Sequence, residues 1–314
     1  MKVQWRHGAA GAAVLMLMQV QAYASCGSAA CAINTHWDQG MLQQPGLALD
    51  LRYEYINQDQ LREGSSKTSN GAGEALETRT INRNLVATLD YTLDENWGFA
   101  VSVPVVSRDH AHVLNDTLDT ESWDFSKLGD VRVMGRYQPS SAPFQDLKYG
   151  FKFGVKLPTG ATDIANADGS KAERSLQPGT GSTDSLLGAY MHQTLPGALS
   201  GWFMQAMWQH AVATHDGFKP GDQIAVDLGL HYTLSDKWGA LLQLNALHKG
   251  RDAGLNAEPD LSGGRYVFLS PGLSYALGKD SQVYGFIQKP VYQYVNGVQL
   301  TADLTAVVGL RHSF

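Results

Sequence analysis

The feature that most restricts how this chain can fold is a strict alternation of apolar and polar residues, sustained over unusually long stretches. Leu47, Leu49, Leu51, Tyr53 and Tyr55 alternate with Ala48, Asp50, Arg52 and Glu54. Leu147, Tyr149, Phe151, Phe153, Val155 and Leu157 alternate with Lys148, Gly150, Lys152, Gly154 and Lys156. The same holds for Ile224 to Leu234 and for Leu300 to Leu310. A period of two marks strands whose two faces meet different surroundings. The runs last about 10–13 residues, where globular strands centre near 5–6 and a tilted strand needs about 9–11 to cross a bilayer. A soluble sandwich would bury the apolar face; a membrane barrel would turn it to lipid and line its lumen with the polar one.

Four further features select the barrel. Charged residues make up only 17 % of the chain, below the ~25 % of soluble domains, although no run approaches the ~18 apolar residues of a spanning helix. The connections alternate in length: 59–77, 108–127 and 159–183 read as long loops rich in Gly, Ser, Asn and Asp, whereas 94–96, 235–237 and 278–280 are short turns. The short turns echo one another. Tyr91-Thr92-Leu93-Asp94-Glu95-Asn96-Trp97-Gly98 is repeated in outline by Tyr232-Thr233-Leu234-Ser235-Asp236-Lys237-Trp238-Gly239, placing aromatic rings where a membrane surface holds them best. Lastly, the chain ends on Phe314 in phase with Leu304, Ala306, Val308 and Leu310, an ending that resembles the recognition signal read by the barrel-assembly machinery. The expected fold is all-β: a transmembrane antiparallel up-and-down barrel of about twelve strands over residues 46–314, with both termini on the periplasmic side. Pro104, Pro158, Pro271 and Pro290 fall in or beside these strands and are expected at ends or bulges, because proline gives no ladder donor.

Residues 1–24 read as a signal peptide: Lys2 and Arg6, then an apolar stretch Gly8 to Val20, then Ala22-Tyr23-Ala24. Its removal takes two basic residues and no acidic one, so the remainder is more acidic than the whole chain at −6, which argues against a nucleic-acid partner. The reading is export through the periplasm to a bacterial outer membrane.

Three segments, Leu128-Gly129-Asp130-Val131-Arg132-Val133, Lys156-Leu157-Pro158-Thr159-Gly160 and Leu176-Gln177-Pro178-Gly179-Thr180-Gly181-Ser182-Thr183-Asp184, resemble the outer-membrane transporter family named for the MetA pathway of phenol degradation. They cover roughly the middle third of the chain. The resemblance implies a transporter-like barrel without catalytic residues.

The polar phase of two neighbouring strands carries Arg132, Arg136, Lys148, Lys152 and Lys156, a basic wall that would draw anions into a narrow lumen. Asp50, Glu54, Asp90, Asp227 and Asp303 take the same phase elsewhere. Opposed walls would orient polar solutes; alternatively the charges pair across the lumen and fill it. Residues 25–45 form a periplasmic N-terminal segment able to fold into the barrel as a plug. Within it, Cys26 and Cys31 read by default as a disulfide in an oxidising compartment. A metal bound by Cys26, Cys31 and His36 is the alternative, although two thiols and one His fall short of a closed structural site. Lipidation of Cys26 is a third reading, weakened by Tyr23 where the signal expects Leu. His110 and His112 are expected in a solvated loop. No Gly-x-Ser-x-Gly, His-Glu-x-x-His or phosphate-binding Gly loop occurs, so neither an enzyme nor a cofactor is indicated. The expected partners are outer-membrane lipid and a small solute, anionic or aromatic. The competing function is a plugged structural barrel that binds a metal or partner through its N-terminal segment.

Overall fold

The computed structural model describes residues 25–26, 33, 45–70, 75–140, 147–197 and 199–314. The expected signal peptide and Cys31 and His36 lie outside them, as does the side chain of Cys26.

The wall is built from β1 (Gly46–Gly64), β2 (Ala75–Thr92), β3 (Trp97–Leu114), β4 (Thr120–Leu128), β5 (Arg132–Tyr137), β6 (Leu147–Lys156), β7 (Ser182–Thr194), β8 (Leu199–Thr214), β9 (Gln223–Thr233), β10 (Trp238–Lys249), β11 (Gly264–Ala276) and β12 (Ser281–Ser313). Eleven of these pair in the ring β12-β11-β10-β9-β8-β7-β6-β5-β3-β2-β1, which closes through β12 and β1; β4 pairs with β3 off that path. Every one of these pairings is antiparallel. β4 and β5 share one stave, since both pair with β3, one above the other. β12 supplies two: its 33 residues would stretch ~110 Å if straight, but the chain turns back at Gly297, whose φ is +62°. The two halves then meet: Ser313 N donates to Asp280 O at 2.8 Å and Gln293 Nε2 to Ala302 O at 2.9 Å. The result is the expected up-and-down barrel of about twelve staves. Closure removes the free sheet edges that lipid could not pair.

The faces are sorted inside out relative to a soluble protein. Leu85, Leu89, Phe99, Phe151, Leu187, Leu228, Leu242 and Leu273 are exposed on the outer surface, whereas inward-facing Thr80, Asn82, Asn245, Ser270 and Gln288 are buried. Trp97 packs at a tilt against Tyr137, and Trp238 against Tyr275, each with ring centroids 4.7 Å apart, beside the short turns at the end that holds Gly46 and Phe314. Those turns share one construction. Asp94 Oδ1 accepts from Asn96 N and Trp97 N at 2.8 and 2.7 Å. Ser235 Oγ does the same for Lys237 N and Trp238 N at 3.4 and 3.1 Å. The sequence repeat is thus a repeat of side-chain-capped turns.

Pro104 and Pro290 fall where ladders pause, but Pro271, expected at an end or bulge, stands inside β11 in unbroken register with Leu242 of β10. Pro104 lies where the partner of β3 changes from β5 to β4, and its carbonyl accepts from Gly129 N at 2.8 Å. Pro290 stands at the register shift between Val267 and Phe268.

At the end opposite the termini, two expectations are corrected. Segments 59–77 and 108–127 are mostly strand: β1 runs to Gly64, β2 starts at Ala75, and β3 and β4 approach within 115–119. His110 and His112 therefore lie buried on the inward face of β3 and not in a solvated loop. In β12 the alternation breaks at register shifts between Val295 and Val298 and again on both sides of Ala302. Leu300, expected on the lipid face, is buried beside Gln299 and Thr301.

Candidate functional site: the lumen wall

Because side chains alternate across a strand, the even-numbered residues of β6 enter the barrel together. Arg132 is in register with Lys156, and Arg136 with Lys152; Lys148 is in register with His192 on β7. The five predicted basic residues thus form a ladder down two adjacent staves, from the outer mouth (Lys156, Arg132) through the middle (Lys152, Arg136) to the end that holds the termini (Lys148).

The ladder is neutralised unevenly. Lys156 Nζ sits 2.7 Å from Asp130 Oδ2 and 3.4 Å from Asp184 Oδ2, and Arg136 lies 3.8 Å from Asp90 with both buried. Arg132, Lys148 and Lys152 form no ion pair among the described residues. Arg132 Nη2 donates to Gln209 Oε1 at 3.4 Å. Lys152 Nζ donates to Gln205 Oε1 and stands 5.4 Å over the Tyr190 ring. Arg132 and Lys148 remain exposed although they face inward, so the barrel is open to water beside them.

The acidic residues are split. Tyr284 Oη donates its single hydrogen to the Asp50 carboxylate, lying 3.0 and 2.8 Å from the two oxygens. Glu54 pairs with Arg52 at 2.8 Å and accepts from Asn84 Nδ2 at 3.0 Å. Asp227 accepts from Asn245 Nδ2 at 2.8 Å and from Gln205 Nε2 at 3.3 Å, so Gln205 bridges the basic ladder to Asp227. Asp303 is exposed at the β12 bulge, and the structure does not bring it to the other four.

One residue at the centre of the site carried no signal of its own in the sequence. Asp130, in the gap between β4 and β5, accepts from Lys156 Nζ, from Gly160 N at 3.0 Å, and from Thr180 N and Thr180 Oγ1, each at 3.0 Å. Thr159 Oγ1 donates to Gly129 O at 2.8 Å and accepts from Val131 N at 2.9 Å. The three segments that carried the family resemblance therefore converge on one carboxylate. Gly160 and Gly179 are in backbone contact there: a Cβ at Gly179 would lie 2.3 Å from the Gly160 carbonyl oxygen. This anchor holds the segment 157–181 across the outer mouth, where Arg174 pairs with Asp216 at 2.6 Å. The proximity of Asp130 to Lys156 was readable only as two motifs, since the residues are 26 apart.

No protein-family model and no curated protein sequence matches the chain. Among solved structures, an outer-membrane channel from Pseudomonas putida F1 is similar, with a TM-score of 0.64 at 12 % identity over 87 % of this chain and 97 % of that one. The fold is that of a bacterial outer-membrane barrel. A looser similarity, TM-score 0.46 at 10 % identity over 85 % of this chain and 99 % of the other, is to the KdgM porin. The outer-membrane barrel thus joins the polar interior and the outward apolar belt in one account, and it agrees with the transporter-type barrel that the three segments implied.

Proposed function

We propose that this outer-membrane barrel is a passive channel for small anionic solutes, with Arg132, Lys152 and Lys148 as successive contacts along the path. The observation that carries this reading is that none of these three inward-facing cations is in ion-pair contact with a carboxylate among the described residues, and that Arg132 and Lys148 stay exposed to the interior. Fixed unpaired charge in a low-dielectric wall raises the local concentration of the opposite ion. The aromatic face of Tyr190 under Lys152 suits an anion that also carries a ring. The solved channel of similar fold supports transport over catalysis, and the described lumen offers side chains for binding and passage. Exposed Phe314, on a strand edge whose backbone N donates to Leu47 O at 2.8 Å, suits recognition by the assembly machinery. In liposome swelling, small carboxylates should enter faster than amines of equal size, and Lys152→Glu should reverse that order. Equal entry rates in the wild type would contradict the proposal.

A second reading concerns the N-terminal segment. Ile33 is buried against inward-facing Phe203, Leu241, Tyr284, Phe286 and Val307, and Ser25–Cys26 pairs in parallel with Gln299–Leu300 near the outer rim. These contacts support the segment 25–45 as a plug within the lumen. Deleting residues 25–44 from the exported chain should then raise single-channel conductance; an unchanged conductance would dismiss the plug and leave the anion path untouched.

A further inference from the structure

The pore leaves one buried cluster unused. His110 and His112, two apart on β3, project to the same inward face, and Glu173 reaches them from the segment 157–181; all three are buried. His110 Nε2 lies 3.4 Å from His112 Nδ1, and His112 Nδ1 lies 3.9 Å from Glu173 Oε1. The three ligand atoms fall within 4.8 Å of one another. The far nitrogens are engaged as well. His110 Nδ1 lies 2.7 Å from Thr80 Oγ1, and His112 Nε2 lies 3.1 Å from Glu121 Oε2. Glu121 is held in turn by Ser170 Oγ, which donates to its Oε1 at 3.0 Å. Trp123, itself buried, closes one side, with its ring 5.6 Å from that of His110 and 5.0 Å from that of His112.

We propose that His110 Nε2, His112 Nδ1 and Glu173 Oε1 bind one borderline divalent transition-metal cation of the zinc class. We assign the tautomers in which Thr80 and Glu121 accept from the far nitrogens; each imidazole then turns its remaining lone pair toward the other and toward a carboxylate. Lone pairs facing each other at this range repel, and a shared cation removes the repulsion. Ligand edges in a tetrahedral zinc site, from bonds of ~2.0–2.1 Å, measure about 3.3 Å; the His110–His112 spacing of 3.4 Å already matches, and the Glu173 carboxylate must draw in from 3.9 Å on the His112 side and from within 4.8 Å overall. A carboxylate behind a ligating histidine is the usual outer support of such sites. Imidazole with one carboxylate suits zinc, nickel or cobalt better than calcium or magnesium, which take oxygen ligands. Three protein ligands leave a fourth position for water. Since Glu173 belongs to the segment across the mouth and the histidines to the wall, the ion acts as a clip that fastens one to the other. This proposal is independent of which solute the channel carries.

The test uses the full-length protein in detergent, stripped with a chelator and titrated with Co2+ as the probe, then competed with Zn2+. A Cys26→Ser, Cys31→Ser, His36→Ala variant removes the other group of candidate ligands. Wild type and that variant should each bind one Co2+ per chain with the visible absorption of a low-coordinate site. Glu173→Gln and His112→Ala should weaken binding at least about tenfold, and Zn2+ should protect the 157–181 segment from protease. His110→Gln, close in shape to the original, serves if His112→Ala fails to assemble. Lack of stoichiometric binding by wild type overturns the site. So does binding that survives both Glu173→Gln and His110→Gln, or that disappears with the N-terminal variant.

Discussion

At the scale of single residues, the outer mouth depends on buried charge placed in pairs. Asp130 and Lys156 are both buried, and removing one partner of such a pair typically costs about 3–5 kcal/mol because the other charge is left behind. Asp130→Ala should therefore lower stability by about that amount and expose the 157–181 segment to protease before the barrel itself unfolds, as limited proteolysis with mass spectrometry would record. Glu258, in the connection before β11, gives a pH dependence. Burial, reinforced by the negative charge of Glu77, pushes its carboxyl up to about 8 from an ordinary 4.5. A raised carboxyl holds a proton in the folded loop that it releases when unfolded, so its contribution is complete below about pH 4.5 and fades as pH rises through about 8. Protection factors of residues 250–263, which remove the intrinsic base-catalysed rise in exchange, should fall over that range in the wild type and stay level in Glu258→Gln.

At the scale of elements, the alternating runs, the capped turns and the strand boundaries near the termini were legible because lipid outside and water inside force opposite chemistry onto successive residues. The same logic explains what was not legible. Above the lipid both faces of a strand meet water or protein, and the period-two signal fades. Outward-facing Asp109, Arg79 and Arg83 form ion pairs there, at 3.1 Å for the Arg79 contact, so 107–113 reads as a loop and hides His110 and His112. Bulges hide the phase in β12, which is why Leu300 and Asp303 were misplaced. The contrast is measurable. Leu228→Arg, on the exposed apolar belt, should cost about 2–4 kcal/mol near the bilayer midplane, whereas Ala111→Arg, outward on β3 at the level of the Asp109 ion pairs, should cost close to nothing. Folding titrations into lipid vesicles would read both.

At the scale of the whole molecule, the inward-facing charges are neutralised unevenly. Pairing between different staves consumes Lys156, Arg136 and Asp90, and Glu54 is taken up by Arg52 within β1. Arg132, Lys152 and Lys148 are left without an ion pair among the described residues, and on the proposed reading they face the solute. Alternation told which residues face inward; it carried nothing about which of them meet, because partners such as Asp130 and Lys156 come from different staves. The most direct measurement of the resulting claim is the reversal potential of the purified channel in a planar bilayer across a potassium chloride gradient. The account predicts chloride preference in the wild type and a shift toward potassium when Arg132, Lys148 and Lys152 are all replaced by glutamate. A wild-type channel that prefers potassium, or a reversal potential unmoved by those three substitutions, would contradict it.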